Sequence, residues 1–204
     1  MNSSLNGKTI LFLGSSVTYG SAAGGVSFVD LLAAQCGCHA VKEAVSGTTL
    51  VDNGGDSYVA RLKRMDVGQA ADLFVCQLST NDASQGLPLG RLDGSADCAT
   101  IAGALESIIA YARRMWNCPV AFYTNPRYDS EAYARMVALL KDCANLYGVE
   151  IIDLWSDDQV NALSPQQRER YMADPIHPTL EGYREWWLPI FERRLSEILA
   201  AAKS

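Results

Sequence analysis

The chain has 204 residues, of which 49% are hydrophobic and 20% charged, and its net charge at pH 7 is −6. This length fits one domain over residues 1–204, because domains usually span roughly 100–200 residues. The acidic balance argues against nucleic acid as a partner, since phosphate binding needs a basic surface. We expect no membrane span, because no apolar run approaches the necessary length.

Cysteine and histidine usage indicates the cellular compartment and limits the metal-binding and catalytic chemistry of the protein. The six cysteines are scattered, and the single close pair, Cys36 and Cys38, does not have the usual zinc spacing. The N-terminal residues show no signal-peptide pattern, so we expect a reduced, cytoplasmic protein. Histidine occurs only as His39 and His177. A histidine-rich metal site is thereby excluded, and histidine-dependent catalysis has two candidates.

Strand and helix patterns alternate along the chain. The predicted strands are Thr9–Gly14, His39–Val45, Asp72–Ser79, Cys118–Thr124 and Glu150–Leu154. The predicted helices are Ser27–Cys36, Ser57–Met65, Ala99–Met115, Ser130–Leu146 and a last one through Ala202, which Pro189 should kink or restart. This alternation predicts an α/β fold with a parallel sheet and helices on both faces.

Two serines, Ser15 and Ser16, follow the first predicted strand directly. In open α/β sheets, ligands bind just past the carboxyl ends of the strands. A serine there is a candidate nucleophile, but it needs a base within hydrogen-bond reach. His39 begins a strand and should lie at the opposite edge, whereas His177 lies in a loop before the last helix. Asp174, three residues earlier, could orient the His177 ring.

Two further strand ends carry candidate donors for an oxyanion. Gly47 offers an unshielded backbone N–H, and Asn81 offers a side-chain amide. Each feature has a structural alternative, since a Ser-Ser pair often caps a helix or cradles a phosphate, and Asn-Asp often forms a turn. Their joint order along the chain favours catalysis.

This ordered set resembles the SGNH hydrolases, also called the GDSL family of esterases and lipases. The motifs that carry the resemblance are Gly14-Ser15-Ser16, Val45-Ser46-Gly47, Ser79-Thr80-Asn81-Asp82 and Asp174-Pro175-Ile176-His177. Two positions depart from the family pattern: Ser15 stands where Asp is usual, and Ser79 stands where Gly is usual. Neither departure removes a catalytic role.

The resemblance implies a flavodoxin-like, three-layer α/β/α sandwich with five parallel strands in the order 2-1-3-4-5. It also implies a serine ester hydrolase with Ser16, His177 and Asp174 as the triad, and with Ser16, Gly47 and Asn81 as the oxyanion hole. No metal or organic cofactor is needed. The expected partner is a small ester or an acetylated carbohydrate, while the exact substrate and the oligomeric state are left open.

The alternative function is a non-catalytic, flavodoxin-like module that binds a phosphate or a flavin at Ser15-Ser16-Val17-Thr18. That interpretation leaves Asn81, Asp174 and His177 without a role. A glycine-containing loop, Ala83–Asp97, follows the third strand. Its position predicts a contribution to the substrate pocket, or else an idle surface loop.

Overall fold

A computed structural model describes residues 3–202 of the chain. Its five strands form one parallel sheet in the order β2-β1-β3-β4-β5, which confirms the predicted topology. The strands are β1 (Thr9–Gly14), β2 (His39–Ala44), β3 (Leu73–Gln77), β4 (Val120–Tyr123) and β5 (Glu150–Ile152). Thr9 pairs with His39 and Gly14 with Ala44, so β1 and β2 end together at the edge that carries the serines.

Nine α-helices connect and cover the strands in the described part of the chain. They are α1 (Ser16–Tyr19), α2 (Phe28–Cys36), α3 (Tyr58–Leu62), α4 (Thr80–Ser84), α5 (Ile101–Trp116), α6 (Glu131–Tyr147), α7 (Asp158–Asn161), α8 (Pro165–Tyr171) and α9 (Leu188–Ala201). A 3-10 turn covers Ser21–Ala23, and a π-helical segment, Gly182–Trp187, leads into α9. Pro189 lies in the first turn of α9, which confirms the predicted restart.

The sheet separates two hydrophobic cores, because successive side chains of each strand point to opposite faces. In β1, Leu11 and Leu13 join the core beneath α3, α5 and α6. Ile10 and Phe12 face the other core, which α2 and α9 cover. The result is the three-layer α/β/α sandwich expected from the sequence.

No single helix among residues 3–202 is long and apolar enough to cross a membrane. One pair of segments, Ser16–Ala23 and Phe28–Cys36, meets the length and composition criteria together but is bent by 91°.

Candidate active site

The nucleophile loop consists of Gly14, Ser15 and Ser16, at the junction of β1 and α1. Ser15 is fully buried, and its backbone N–H donates to Gln77 Oε1 at 2.9 Å. Ser16 is 7% exposed and begins α1. A Cβ atom on Gly14 would lie 1.7 Å from Thr18 Oγ1, so glycine is required for this close approach. The loop therefore directs Ser15 into the core and leaves Ser16 slightly exposed, next to His177.

Ser16, His177 and Asp174 form a continuous hydrogen-bonded chain. Ser16 Oγ lies 2.8 Å from His177 Nε2, and His177 Nδ1 lies 2.7 Å from Asp174 Oδ2. An ionised carboxylate can only accept, so the ring proton lies on Nδ1 and Nε2 can accept from Ser16. Asp174 Oδ1 also accepts from the backbone N–H groups of Ile176 and His177, at 2.7 and 2.8 Å. This is the hydrogen-bonding pattern that a serine–histidine–acid triad requires.

The charge on Asp174 is favoured by its surroundings. Partial burial raises the pKa of this carboxyl group, but hydrogen bonds from the Ile176 N–H, the His177 ring and the His177 N–H outweigh that effect. The net pKa lies below the ordinary value for aspartate. Asp174 therefore remains ionised throughout the neutral range and can stabilise a protonated His177.

His39 lies at the opposite edge of the sheet from Ser16. It is the first residue of β2 and pairs with Thr9, at the amino ends of the strands. The structure thus brings His177, and not His39, to Ser16.

The loop that carries His177 is held by a residue that sequence reasoning missed. Asn125 follows β4, is fully buried, and donates from Nδ2 to the carbonyl of Ile176 at 3.0 Å. Its own backbone N–H donates to the Tyr133 hydroxyl at 2.9 Å. In the sequence, Asn125-Pro126 is a pair typical of turns. A polar residue directly past a central strand was the available signal.

Gly47 lies in the loop after β2, and Asn81, in α4, contacts that loop at the carbonyl of Thr48. Gly47 has φ of +80°, a conformation that favours glycine, and Asn81 Nδ2 donates to Thr48 O at 2.8 Å. An amide nitrogen carries two hydrogens, so Asn81 keeps one donor for a further acceptor.

Ser79, where the family usually has Gly, has a defined structural role. Its side chain caps α4 by accepting from the Asn81 N–H at 3.1 Å, and it donates to Thr48 O at 3.3 Å. The departure therefore adds contacts around Asn81.

Asp82, beside Asn81, is buried and braces the segment after Gly47. It accepts from the backbone N–H groups of Leu50 and Val51 at 2.8 and 3.0 Å. Burial raises its pKa, against the opposing effect of hydrogen bonds from Val51, Ser79 and Leu50. Its contacts are to the scaffold, so we assign it no chemical step.

Two concave regions border the site. A cavity of about 450 Å³ adjoins Asp174 and is lined by Tyr128, Asp129, Arg168, Glu169, Met172, Asp174 and Pro175. A smaller groove of about 110 Å³ adjoins Gly47 and is lined by Gly47, Thr48, Thr49, Asn53, Gly54, Asp56, Ser57 and Gln85.

The loop after α4 reaches the smaller groove only through Gln85. Farther along, Leu87, Leu89 and Leu92 pack against the hydrophobic core. The backbone N–H groups of Gly94 and Ala96 donate to the Glu106 carboxylate at 3.0 and 3.1 Å. Most of this loop is therefore tied to α5.

A sequence profile of the GDSL-like Lipase/Acylhydrolase family matches residues 12–185. The chain belongs to this family. The matched span contains Ser16, Gly47, Asn81, Asp174 and His177, and the resemblance stated from the motifs is confirmed. As a member of the GDSL family, the chain is a carboxylic ester hydrolase. No curated protein sequence matches it significantly.

Solved structures show the same fold over nearly the whole chain. A protein from Lactobacillus plantarum is 24% identical, with 96% of this chain and 98% of that chain covered and a TM-score of 0.78. A carbohydrate acetylesterase family member from Sinorhizobium meliloti is 20% identical, with 95% and 99% covered and a TM-score of 0.66. A mutant of an acetyl-xylooligosaccharide esterase from Geobacillus Stearmophilus is 18% identical, with 93% and 94% covered and a TM-score of 0.65. At these identities, the likeness shows the fold.

Proposed function

We propose that this GDSL-family hydrolase cleaves a small ester or an acetylated carbohydrate, with Ser16 as the nucleophile, His177 as the base and Asp174 as the orienting acid. The observation that carries the proposal is the hydrogen-bonded chain from Ser16 Oγ through the His177 ring to Asp174, with contacts of 2.8 and 2.7 Å. A free serine hydroxyl is a weak nucleophile, and a base at this distance removes that limitation.

In the first half-reaction, Ser16 Oγ bonds to the ester carbonyl carbon while its proton moves to His177 Nε2. The carbonyl π electrons move to the oxygen, which becomes an oxyanion. When the carbonyl re-forms, the bond to the alcohol oxygen breaks, and His177 gives its proton to that oxygen. The products of this step are the free alcohol and an acylated Ser16.

In the second half-reaction, water replaces the alcohol. His177 Nε2 takes one proton from water as the water oxygen bonds to the acyl carbon. Collapse of the second intermediate breaks the bond to Ser16 Oγ, and the proton held by His177 returns to the serine. The carboxylic acid leaves and the enzyme is restored without any redox change.

Three donors would hold the oxyanion in both half-reactions: the backbone N–H groups of Ser16 and Gly47, and the free Asn81 amide hydrogen. Asn81 is oriented by its bond to Thr48 O, so little reorganisation is needed when charge develops. Removing one such donor typically lowers kcat by about 100- to 1000-fold.

The small groove beside Gly47 supports a short acyl group. Its volume is about 110 Å³, well below the roughly 300 Å³ at which drug-sized ligand pockets begin. Two structurally similar proteins, a carbohydrate acetylesterase family member and an acetyl-xylooligosaccharide esterase, make acetylated sugars the first substrates to test.

The test combines a reactive probe with a substrate panel. A serine-directed organophosphonate should label the wild-type protein, and peptide mapping should place the adduct on Ser16. Ser16→Ala should lose labelling and hydrolysis of p-nitrophenyl acetate and acetylated xylose. Ser15→Ala is the matched control, and it should still react because Ser15 is buried and turned toward Gln77.

An adduct on Ser15, or labelling that persists in Ser16→Ala, would contradict the assignment. A wild-type protein that resists the phosphonate and instead binds flavin mononucleotide would favour the phosphate-binding alternative.

A further inference from the structure

Arg61 is a buried arginine next to the proposed site, and all of its guanidinium nitrogens donate hydrogen bonds. It lies on α3, and its side chain is 2% exposed. Nε donates to Asp56 O at 2.9 Å, and Nη1 donates to Glu43 O and Glu43 Oε1, each at 3.1 Å. Nη2 donates to Gly14 O at 2.7 Å and to Thr48 Oγ1 at 3.0 Å. Five hydrogen bonds match the five N–H groups of a guanidinium.

The two Nη2 contacts join the loops that carry the proposed nucleophile and one oxyanion donor. Gly14 comes just before Ser15 and Ser16, and Thr48 follows Gly47. The Thr48 hydroxyl also donates to Val45 O at 2.6 Å, which closes the turn around Gly47. Gly14 O accepts a second bond from the Val45 N–H at 3.3 Å. One guanidinium nitrogen therefore bridges the two loops.

We infer that Arg61 is a positioning residue for ester hydrolysis, which fixes the Gly47 turn against the Ser16 loop so that the oxyanion donors are in place before substrate binds. The inference rests on the proposed function. It assigns Arg61 no contact with the substrate, because its donors are already used by the protein.

The energetics of burial support a positioning role over a purely stabilising one. Burying a charge is costly, and a well-packed apolar residue often stabilises a core as well as a buried ion pair does. Here the carboxylate partner is Glu43, whose side chain is 37% exposed. The geometric contribution of the guanidinium is different, since its rigid fork holds several acceptors at fixed angles that a lysine ammonium cannot span.

Arg61→Lys keeps the positive charge and removes the fork. We expect kcat for p-nitrophenyl acetate to fall by about 10- to 100-fold with a smaller change in KM, because misplacement of catalytic groups by about 1 Å can cost roughly 100-fold. The Val45 amide should exchange faster with deuterium, since its bond to Gly14 O depends on the same loop spacing.

Thr48→Val provides a second variant that keeps Arg61 and the Thr48 carbonyl and removes only the hydroxyl. It should lower kcat in the same manner, and the double variant should lose less than the product of the two single losses, because both act through one contact. Arg64→Lys is the matched control. Arg64 lies two residues after the end of α3, is exposed, and pairs with the Asp56 carboxylate. Its substitution should leave kcat unchanged.

The outcomes separate the inference from the proposed function. If wild type hydrolyses esters while folded Arg61→Lys and Thr48→Val both keep kcat within about twofold, the positioning role is wrong. If wild type is inactive, the proposed function fails, and Val45 exchange still decides whether Arg61 fixes the loops. If Arg61→Lys does not fold, the kinetics and Val45 exchange of Thr48→Val decide.

Discussion

Ser15 and Ser16 are chemically identical neighbours that the fold places in different surroundings. Ser15 is enclosed and directed at Gln77, whose Oε1 also accepts from Thr18 Oγ1 at 2.8 Å. An aspartate at position 15, as is usual in the family, would bring a carboxylate against that acceptor oxygen. Serine can donate to Gln77 instead, which explains physically why this chain accommodates the departure.

The pH dependence of hydrolysis should be controlled by His177. The base must be neutral to accept the Ser16 proton, so kcat/KM should fall on the acid side with a single ionisation. The measurement is a pH–rate profile with p-nitrophenyl acetate on wild type, His39→Ala and His177→Ala. His39→Ala should keep the wild-type acid limb. Loss of activity in folded His39→Ala, with His177→Ala still active, would refute this.

Asp174 should not add a second ionisation to that limb. Its folded-state pKa is below the ordinary value, so the stability it contributes is present above its unfolded pKa and is lost only as the pH falls through the lower, folded value. The slope of log kcat/KM against pH on the acid side should therefore stay at one until the pH falls to the lowered pKa of this carboxyl group.

At this scale, the sequence identifies groups whose position in a motif indicates a role, and it misses groups whose role depends on distant contacts. Ser16, His177 and Asp174 could be named from motifs and strand ends, and in the structure His177 contacts both of the others. Arg61 and Asn125 could not be named. Arg61 contacts Gly14 across 47 positions, and Asn125 contacts Ile176 across 51.

At the scale of elements, the five strands were predictable to within two residues at either end. The central strands β1, β3 and β4 are continuous apolar runs between turn residues, which makes them easy to recognise. The short helices α1 and α4 were not predicted. They have four and five residues, too few for a helical period to show in the sequence. They matter because they present Ser16 and Asn81 just past β1 and β3.

The segment after α4 should influence acyl selectivity through Gln85. This exposed residue lines the groove beside Gly47, whereas the later part of the loop is tied to α5. Gln85→Trp should fill the groove and lower kcat/KM for p-nitrophenyl butyrate more than for p-nitrophenyl acetate. Labelling of Ser16 by a small phosphonate should persist.

Arg91→Trp is the control for that experiment, because Arg91 is exposed on the same loop and lines neither region bordering the site. An unchanged ratio of the two esters in Gln85→Trp would show that the groove does not hold the acyl group.

At the scale of the whole molecule, α1 contacts an aromatic cluster in the core that α2 and α9 cover. Phe28 is at its centre, with ring centroids of Phe12, Tyr123, Tyr183, Trp187 and Phe191 between 3.9 and 6.3 Å away. Two of these rings reach the nucleophile segment. Tyr123 OH lies 2.6 Å from Thr18 Oγ1, and Tyr183 OH donates to Val17 O at 2.8 Å. Core packing and the placement of α1, which begins at Ser16, are thus physically linked.

Phe28→Ala should therefore destabilise the whole protein, because it leaves a cavity among five rings. Removing a buried phenylalanine side chain typically costs about 3–5 kcal/mol, and chemical unfolding monitored by tryptophan fluorescence should show a loss of that size in the free energy of unfolding. Leu146→Ala, at a position 61% exposed on α6, is the control and should change stability by less than about 0.5 kcal/mol. Since Tyr123 and Tyr183 contact Thr18 and Val17 in α1, the folded fraction of Phe28→Ala should label more slowly with phosphonate. A large loss of stability with wild-type labelling kinetics would show that α1 holds its geometry independently of the cluster.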